Sequence, residues 1–226
     1  MAPRAISWTD GLPTGIVRRV AALGPPEQVH LPFPAASKEL VPPATKFRST
    51  WLTSSIRAIK ERGRWDEYLV HLPEEHHSAV EESVAGTWLP VSVAVAHYAA
   101  CDKLAFSPIE LVAIGREVHT YAQATVLSAL VKLAVGAGVT PWTAFSQFNR
   151  LWDRVWIGGG VAAFKIGPKE ARLEIVGWPC ARSTYIRHAM RGVTVGMLEM
   201  FCTKAYVKDL PAYCASMTLG YRCAWA

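Results

Sequence analysis

The sequence predicts an α+β fold: a helical N-terminal region, a long capped helix, an aromatic helix and a β-hairpin–helix–strand tail. Three observations carry this reading. Apolar residues recur at spacings of three and four through residues 49–156, the helical period. Gly158-Gly159-Gly160 then interrupts the pattern, and from Val161 the apolar residues alternate as half-buried strands do.

Residues 1–45 hold eight of the fifteen prolines, including Pro25-Pro26 and Pro42-Pro43. Proline removes backbone donors and blocks helix continuation, so this reads as a basic, largely extended arm with one short helix near Ile16–Leu23. Residues 46–226 read as a single domain. Ser49 is expected to cap a helix through Arg62 with Leu52, Ile56 and Ile59 on one face. Short helices follow over Trp65–Leu72 and Glu74–Val84. Pro90 opens another, Val91–Leu104, which is apolar nearly all round and so expected to be central.

Ser107-Pro108-Ile109-Glu110 carries the signature of a capping box, with proline at the first helical position where its missing amide costs nothing. The long helix behind it places Leu111, Gly115, Val118, Ala122, Val126, Leu130 and Leu133 on one stripe and stops at Gly136/Gly138. Gly115 costs such a helix about 1 kcal/mol against alanine, so another backbone is expected to approach there. Thr140 to Trp156 reads as one amphipathic helix lined by Phe145, Phe148, Trp152, Val155 and Trp156. Beyond the glycines, Val161–Ile166 and Ala171–Gly177 flank the turn Gly167-Pro168-Lys169-Glu170 as a hairpin. Residues 183–206 read as a helix, and Leu219, Tyr221, Cys223 and Trp225 alternate in a closing strand.

Composition narrows the function. Hydrophobic residues make up 51% and charged residues 19%, enough apolar material for a large core. Nine tryptophans favour an aromatic pocket or interface. The net charge of +6 is unevenly spread: residues 1–64 carry ten Lys/Arg against four acids, and the rest balances. The domain is therefore no basic nucleic-acid platform. The N-terminus lacks the unbroken apolar run of a signal peptide, and Ala122 to Val139 falls short of a membrane span. Five cysteines without a CxxC pair then suggest reduced thiols and a soluble, cytoplasmic protein.

Candidate chemistry is sparse. A phosphate loop needs a strand before its glycines and a helix after them, the reverse of the order at Gly158-Gly159-Gly160. His76-His77 sits among Glu74, Glu75, Glu81 and Glu82 on a wet helix face, and His119 reads as a core or helix-edge histidine. Cys214 and Cys223, with Cys202 or His188, form the only metal-like group, and their spacing is too wide for a zinc knuckle. No Gly-x-Ser-x-Gly elbow or kinase signature provides a nucleophile.

Element order, with Leu111-x-x-x-Gly115-Arg116 in the long helix and Asp153-Arg154-Val155-Trp156 in the next, resembles the ligand-binding superfamily of haem–nitric-oxide sensors. That group also includes 4-vinyl reductase domains, Golgi-transport tethering subunits and uncharacterised bacterial members of about this length. In the haem sensors the second motif ends in the histidine that ligates iron; here that residue is Trp156. Their Tyr-x-Ser-x-Arg propionate clamp corresponds to Ile175-Val176-Gly177-Trp178-Pro179. In the 4-vinyl reductase branch Cys214 and Cys223 fall in the zinc-binding segment, with Pro211 in place of a glutamate. The resemblance implies the fold and a ligand pocket without haem.

The expected function is a non-enzymatic small-molecule-binding or sensory module with an apolar, tryptophan-lined pocket between the aromatic helix and the tail. Its ligand-binding candidates are Tyr121, Phe148, Trp152, Trp156 and Trp178; no cofactor or metal is expected. The alternatives are an interaction scaffold without a ligand, or an enzyme acting on an apolar or tetrapyrrole substrate. Apolar residues on more than one face of two helices (Val91, Val93, Val95, Leu111, Val112 and Ile114) also suggest a homodimer.

Overall fold

The computed structural model describes residues 27–126 and 140–226. The short helix expected near Ile16–Leu23 and the helix stop at Gly136/Gly138 lie outside the described residues.

Five antiparallel strands form the main sheet: β1 (Gln28–Leu31), β5 (Gly160–Gly167), β6 (Glu170–Val176), β7 (Ala205–Asp209) and β8 (Leu219–Trp225), in the order β1-β5-β6-β8-β7. A small second sheet joins β2 (Lys46–Arg48), β3 (Trp88–Pro90) and β4 (Trp156–Ile157), with β2 in the centre. The helices are α1 (Ser49–Glu61), α2 (Trp65–His71), α3 (His77–Glu81), α4 (Val91–Cys101), α5 (Pro108–Val126), α6 (Pro141–Ser146), α7 (Phe148–Trp152) and α8 (Thr184–Leu198). Alternation puts Ala171, Leu173 and Ile175 of β6, and Leu219, Tyr221 and Cys223 of β8, into one buried core with α8. Helix α5 packs on α8, and α1 packs on α5.

The capping box forms as expected. Ser107 N and Oγ both donate to Glu110 Oε2, at 2.8 and 2.7 Å, and Glu110 N donates back to Ser107 Oγ at 3.3 Å. Gly115 and Gly192 meet where α5 crosses α8. A Cβ on Gly115 would run into the carbonyl of Ala189, and one on Gly192 into the carbonyl of Val112. The two backbones touch there.

Several expectations change. Ser49 does not cap α1; its hydroxyl donates to Val84 O at 2.6 Å and accepts from Thr87 N at 2.9 Å, tying the helix start to the loop before β3. The aromatic helix is two short helices with Gln147 between them, which turns Phe145 toward Trp225 and Phe148 and Trp152 toward the interior. Trp156 is not helical: it lies in β4, opposite Phe47 of β2, because β2 offers a free edge at that point. The helix expected over 183–206 stops at Leu198, and Ala205–Asp209 forms β7 on the open edge of β8. Ala205 and Val207 point inward and Tyr206 and Lys208 outward, so the strand period wins at that sheet edge. Val93, Leu111 and Ile114 are core residues and cannot serve a dimer interface.

The arm boundary shifts as well. Residues 28–45, extended apart from a bend and a 3-10 turn at Lys38–Leu40, join the domain: β1 pairs with β5 (Val29 opposite Phe164), Phe33 packs on Phe164, and Val41 and Ala44 are buried. Ala44 N donates to Gly177 O and Gly159 N to Pro42 O, both at 2.7 Å. Gly158 and Gly159 sit at φ +84° and +67°, a left-handed turn that joins β4 to β5 and suits glycine.

A buried polar chain fastens four helices. Tyr68 OH is 2.9 Å from His97 Nδ1, His97 Nε2 is 2.9 Å from Ser55 Oγ, and Ser55 Oγ is 2.9 Å from Tyr185 OH. Burial lowers the His97 pKa to about 3; His119 falls to about 4 through burial and then the nearby Arg116 charge. Both are neutral in the folded protein at pH 7. As pH falls below the unfolded value of about 6.5, the unfolded chain takes up protons that the folded one refuses. Stability is therefore full above that value and declines on acidification, by about 1.4 kcal/mol per pH unit for each histidine. Urea unfolding between pH 6.5 and 5 checks this: His97→Gln should reduce the slope without abolishing it, because burial also lowers the pKa of His119 and of His188, and an unchanged slope would refute the assignment.

Candidate functional site

A cavity of about 370 Å³ opens between the helices and the inner face of the main sheet. The sheet supplies Val161, Leu173 and Ile175; α8 supplies Met190, Val193, Thr194 and Met197; α7 supplies Phe148, Leu151 and Trp152. Trp156 closes the wall toward β2, Trp51 of α1 lines the cavity, and His119 reaches it from α5. Local sequence explains this lining. The i, i+3 and i+4 spacing of Met190, Val193, Thr194 and Met197 puts them on one face of α8, and the alternation of β6 aims Leu173 and Ile175 the same way.

The tryptophans act as a unit. Trp152 and Trp156 stack with ring centroids 5.6 Å apart, and Trp178 meets them edge-on at 5.6 and 5.3 Å, arrangements that ring quadrupoles favour. Trp152 Nε1 donates to Gly158 O at 2.9 Å, which fixes its ring over the glycine turn. The wall is therefore rigid on this side, and Trp156 is also stacked on Phe47.

Of the five residues chosen from sequence, Phe148, Trp152 and Trp156 line this cavity and two do not. Trp178 stands behind them, fully buried, as the backing of the wall. Tyr121 faces α1 instead: its hydroxyl donates to Glu61 Oε2 at 2.8 Å and the Arg57 guanidinium lies 4.1 Å over its ring. Sequence reasoning passed over His119, Arg48 and Arg154 as lining residues. His119 carried a signal, since it lies one residue from Val118 on the apolar stripe. Its ring packs against the backbone of Gly196 on α8, with Nδ1 on that side.

The polar groups are few. Thr194 Oγ1 donates to Met190 O at 2.8 Å, so its hydroxyl is spent within α8. Arg48 and Arg154 stand where β2 meets the end of α7, joined through Arg48 N donating to Val155 O at 2.8 Å. Arg48 Nη1 donates to Gly86 O, and its guanidinium lies 4.3 Å over the Trp88 ring. Among the described residues no Asp or Glu lines the cavity.

The cysteine group gathers no metal site. Cys202 Sγ donates to Leu198 O, Cys214 Sγ to Leu210 O, and Cys223 is buried in β8. No group of three His, Cys, Asp or Glu among the described residues is arranged to hold a metal ion. At Trp156 the wall presents an indole, which carries an N–H and no lone pair for a metal, and among the described residues the imidazole lining the cavity is His119, on α5 with Nδ1 turned to α8.

No family model matches the chain, and no curated protein sequence does. Solved structures do. The Fe(II) unliganded H-NOX protein from K. algicida superposes with a TM-score of 0.57 and 8% identity, over 79% of this chain and 96% of its own. A mutant of that protein gives 0.58 and 9%, again over 79% and 96%. A mutant of the T. Tengcongensis H-NOX gives 0.50 and 11%, over 79% and 97%. Identity this low carries the fold and no activity. No described helix is long and apolar enough to cross a membrane. The element order, the two sheets and these superpositions agree: the chain has the fold of the H-NOX (haem-NO-binding) domains.

Proposed function

We propose that this domain is a non-enzymatic small-molecule-binding module of the cytoplasm, serving a sensory role, whose cavity takes an apolar ligand other than haem. One observation carries the reading: a cavity of about 370 Å³, within the usual size of small-molecule sites, walled by aliphatic side chains and a rigid tryptophan cluster. Among the described residues its walls hold no nucleophile–base pair and no carboxylate, which favours binding over turnover. The neighbouring structures are H-NOX proteins, two of them described in the Fe(II) unliganded state. The resemblance puts Trp156 where the haem sensors carry their iron-ligating histidine, and this supports a ligand other than haem.

The test uses a neutral apolar fluorophore, N-phenyl-1-naphthylamine. Saturable one-to-one binding is expected, with loss of binding in Met197→Trp, which fills the cavity from a half-buried position. Absence of saturable binding, or binding indifferent to Met197→Trp, would overturn the cavity reading. Haem is tested separately. Stoichiometric addition is expected to give no intense Soret band, and a band that is lost in His119→Ala would refute the exclusion of haem.

A further inference from the structure

We propose that the ligand is an apolar anion, a hydrocarbon body bearing one carboxylate, with the carboxylate seated between Arg48 and Arg154. The inference rests on the cavity reading above and adds the charge and orientation of what fills it.

The argument starts from the charge balance of the lining. Arg48 and Arg154 line the cavity, and among the described residues no carboxylate accompanies them there. Among the described residues neither takes part in an ion pair; Arg150, Arg182 and Arg187 share this, but none of those three lines the cavity. Two arginines in the lining of an otherwise apolar cavity raise the positive potential there, which an anion relieves. Thr50, in the first turn of α1, lines the same cavity, and that turn contains no acidic residue; the positive end of the helix dipole adds to the field.

Position supports the same ligand. The bond from Arg48 N to Val155 O fixes β2 beside the residue that follows Arg154, so both side chains leave one junction. Arg48 is already oriented by Gly86 O and Trp88, and a guanidinium has five N–H donors, so one bond to Gly86 leaves others for a ligand. Planar forked donors of this kind match the two oxygens of a carboxylate. Away from this junction the lining turns apolar, with Leu173, Ile175, Met190 and Val193. A molecule with one anionic end and an uncharged hydrocarbon body satisfies both parts. A uniformly apolar ligand would offer neither arginine a counter-charge.

Isothermal titration of the full chain with laurate and with dodecanol, which share one hydrocarbon chain, tests this. Laurate is expected to bind at least about tenfold more tightly, the increment of a charge-assisted hydrogen bond. In Arg154→Gln, and in Arg48→Gln, that preference should shrink to within about threefold while dodecanol affinity stays level. Arg154→Gln breaks no hydrogen bond or ion pair within the described residues, so it keeps the test valid if Arg48→Gln fails to fold. Dodecanol binding as tightly as laurate, or a preference that survives both substitutions, overturns the anion inference and leaves the cavity reading standing. Binding of neither overturns both.

Discussion

Gly192→Val lowers the melting temperature by about 8–16 °C, the shift expected for a loss of about 4 kcal/mol in a domain of this size. The cause is the crossing of α5 and α8. A Cβ at Gly192 would collide with the Val112 carbonyl and come against Arg116 N, and the Cα of Gly115 lies on the same side. These are backbone atoms held in helical hydrogen bonds, so the clash is relieved only by moving α5 away from α8. That movement unpacks Ile114 and Val118 on one helix and Ala189 and Val193 on the other, all buried. Gly115→Val should cost as much, because its Cβ would collide with the Ala189 carbonyl. Gly196→Ala is the informative contrast: its Cβ would meet only the His119 ring, a side chain that can turn aside. Thermal unfolding monitored by circular dichroism decides the order. A fall of under about 3 °C in Gly192→Val would refute the close crossing.

Removal of residues 1–45 is the second large effect. The proline content argues that this segment buries little and that its deletion leaves the melting temperature nearly unchanged. The structure argues the reverse. Deletion takes away the β1–β5 ladder, the buried Val41 and Ala44, and the two short bonds to Gly177 O and from Gly159 N. It also removes Glu27, whose Oε1 accepts from Arg172 Nε at 3.1 Å. Arg172 is itself buried beside Glu174, with the Phe164 and Tyr213 rings on its guanidinium. Stripping partners from a buried charge costs several times more than losing a surface pair. A loss above about 3 kcal/mol follows, seen as a melting temperature lowered by more than about 6 °C. Ala44→Asp in the full chain should reproduce part of the loss by placing a charge in an apolar contact. An unchanged melting temperature in both variants would return the arm to the solvent.

The sequence by itself determined what local chemistry can encode. Ser107 and Glu110 announce a helix start because the cap is made by neighbours three residues apart. Gly115 announces a close crossing because glycine in mid-helix is otherwise a loss. The hairpin around Pro168 and the closing strand follow from alternation, and element order was enough to identify the fold. Tertiary structure alone decided the rest, because the deciding partners are distant in sequence. Ala205–Asp209 becomes a strand only because β8 leaves an edge free, and Trp156 joins a strand only because β2, more than a hundred residues earlier, runs beside it. Phe148, Trp152 and Trp156 were legible as pocket residues, since large rings on one stripe must be buried somewhere. Trp178 and Tyr121 were not separable from them, because pattern gives a face and not what lies across it. Arg48 and Arg154 were invisible as a pair: their meeting depends on a single backbone bond between β2 and the residue after Arg154, and no spacing in the chain encodes it.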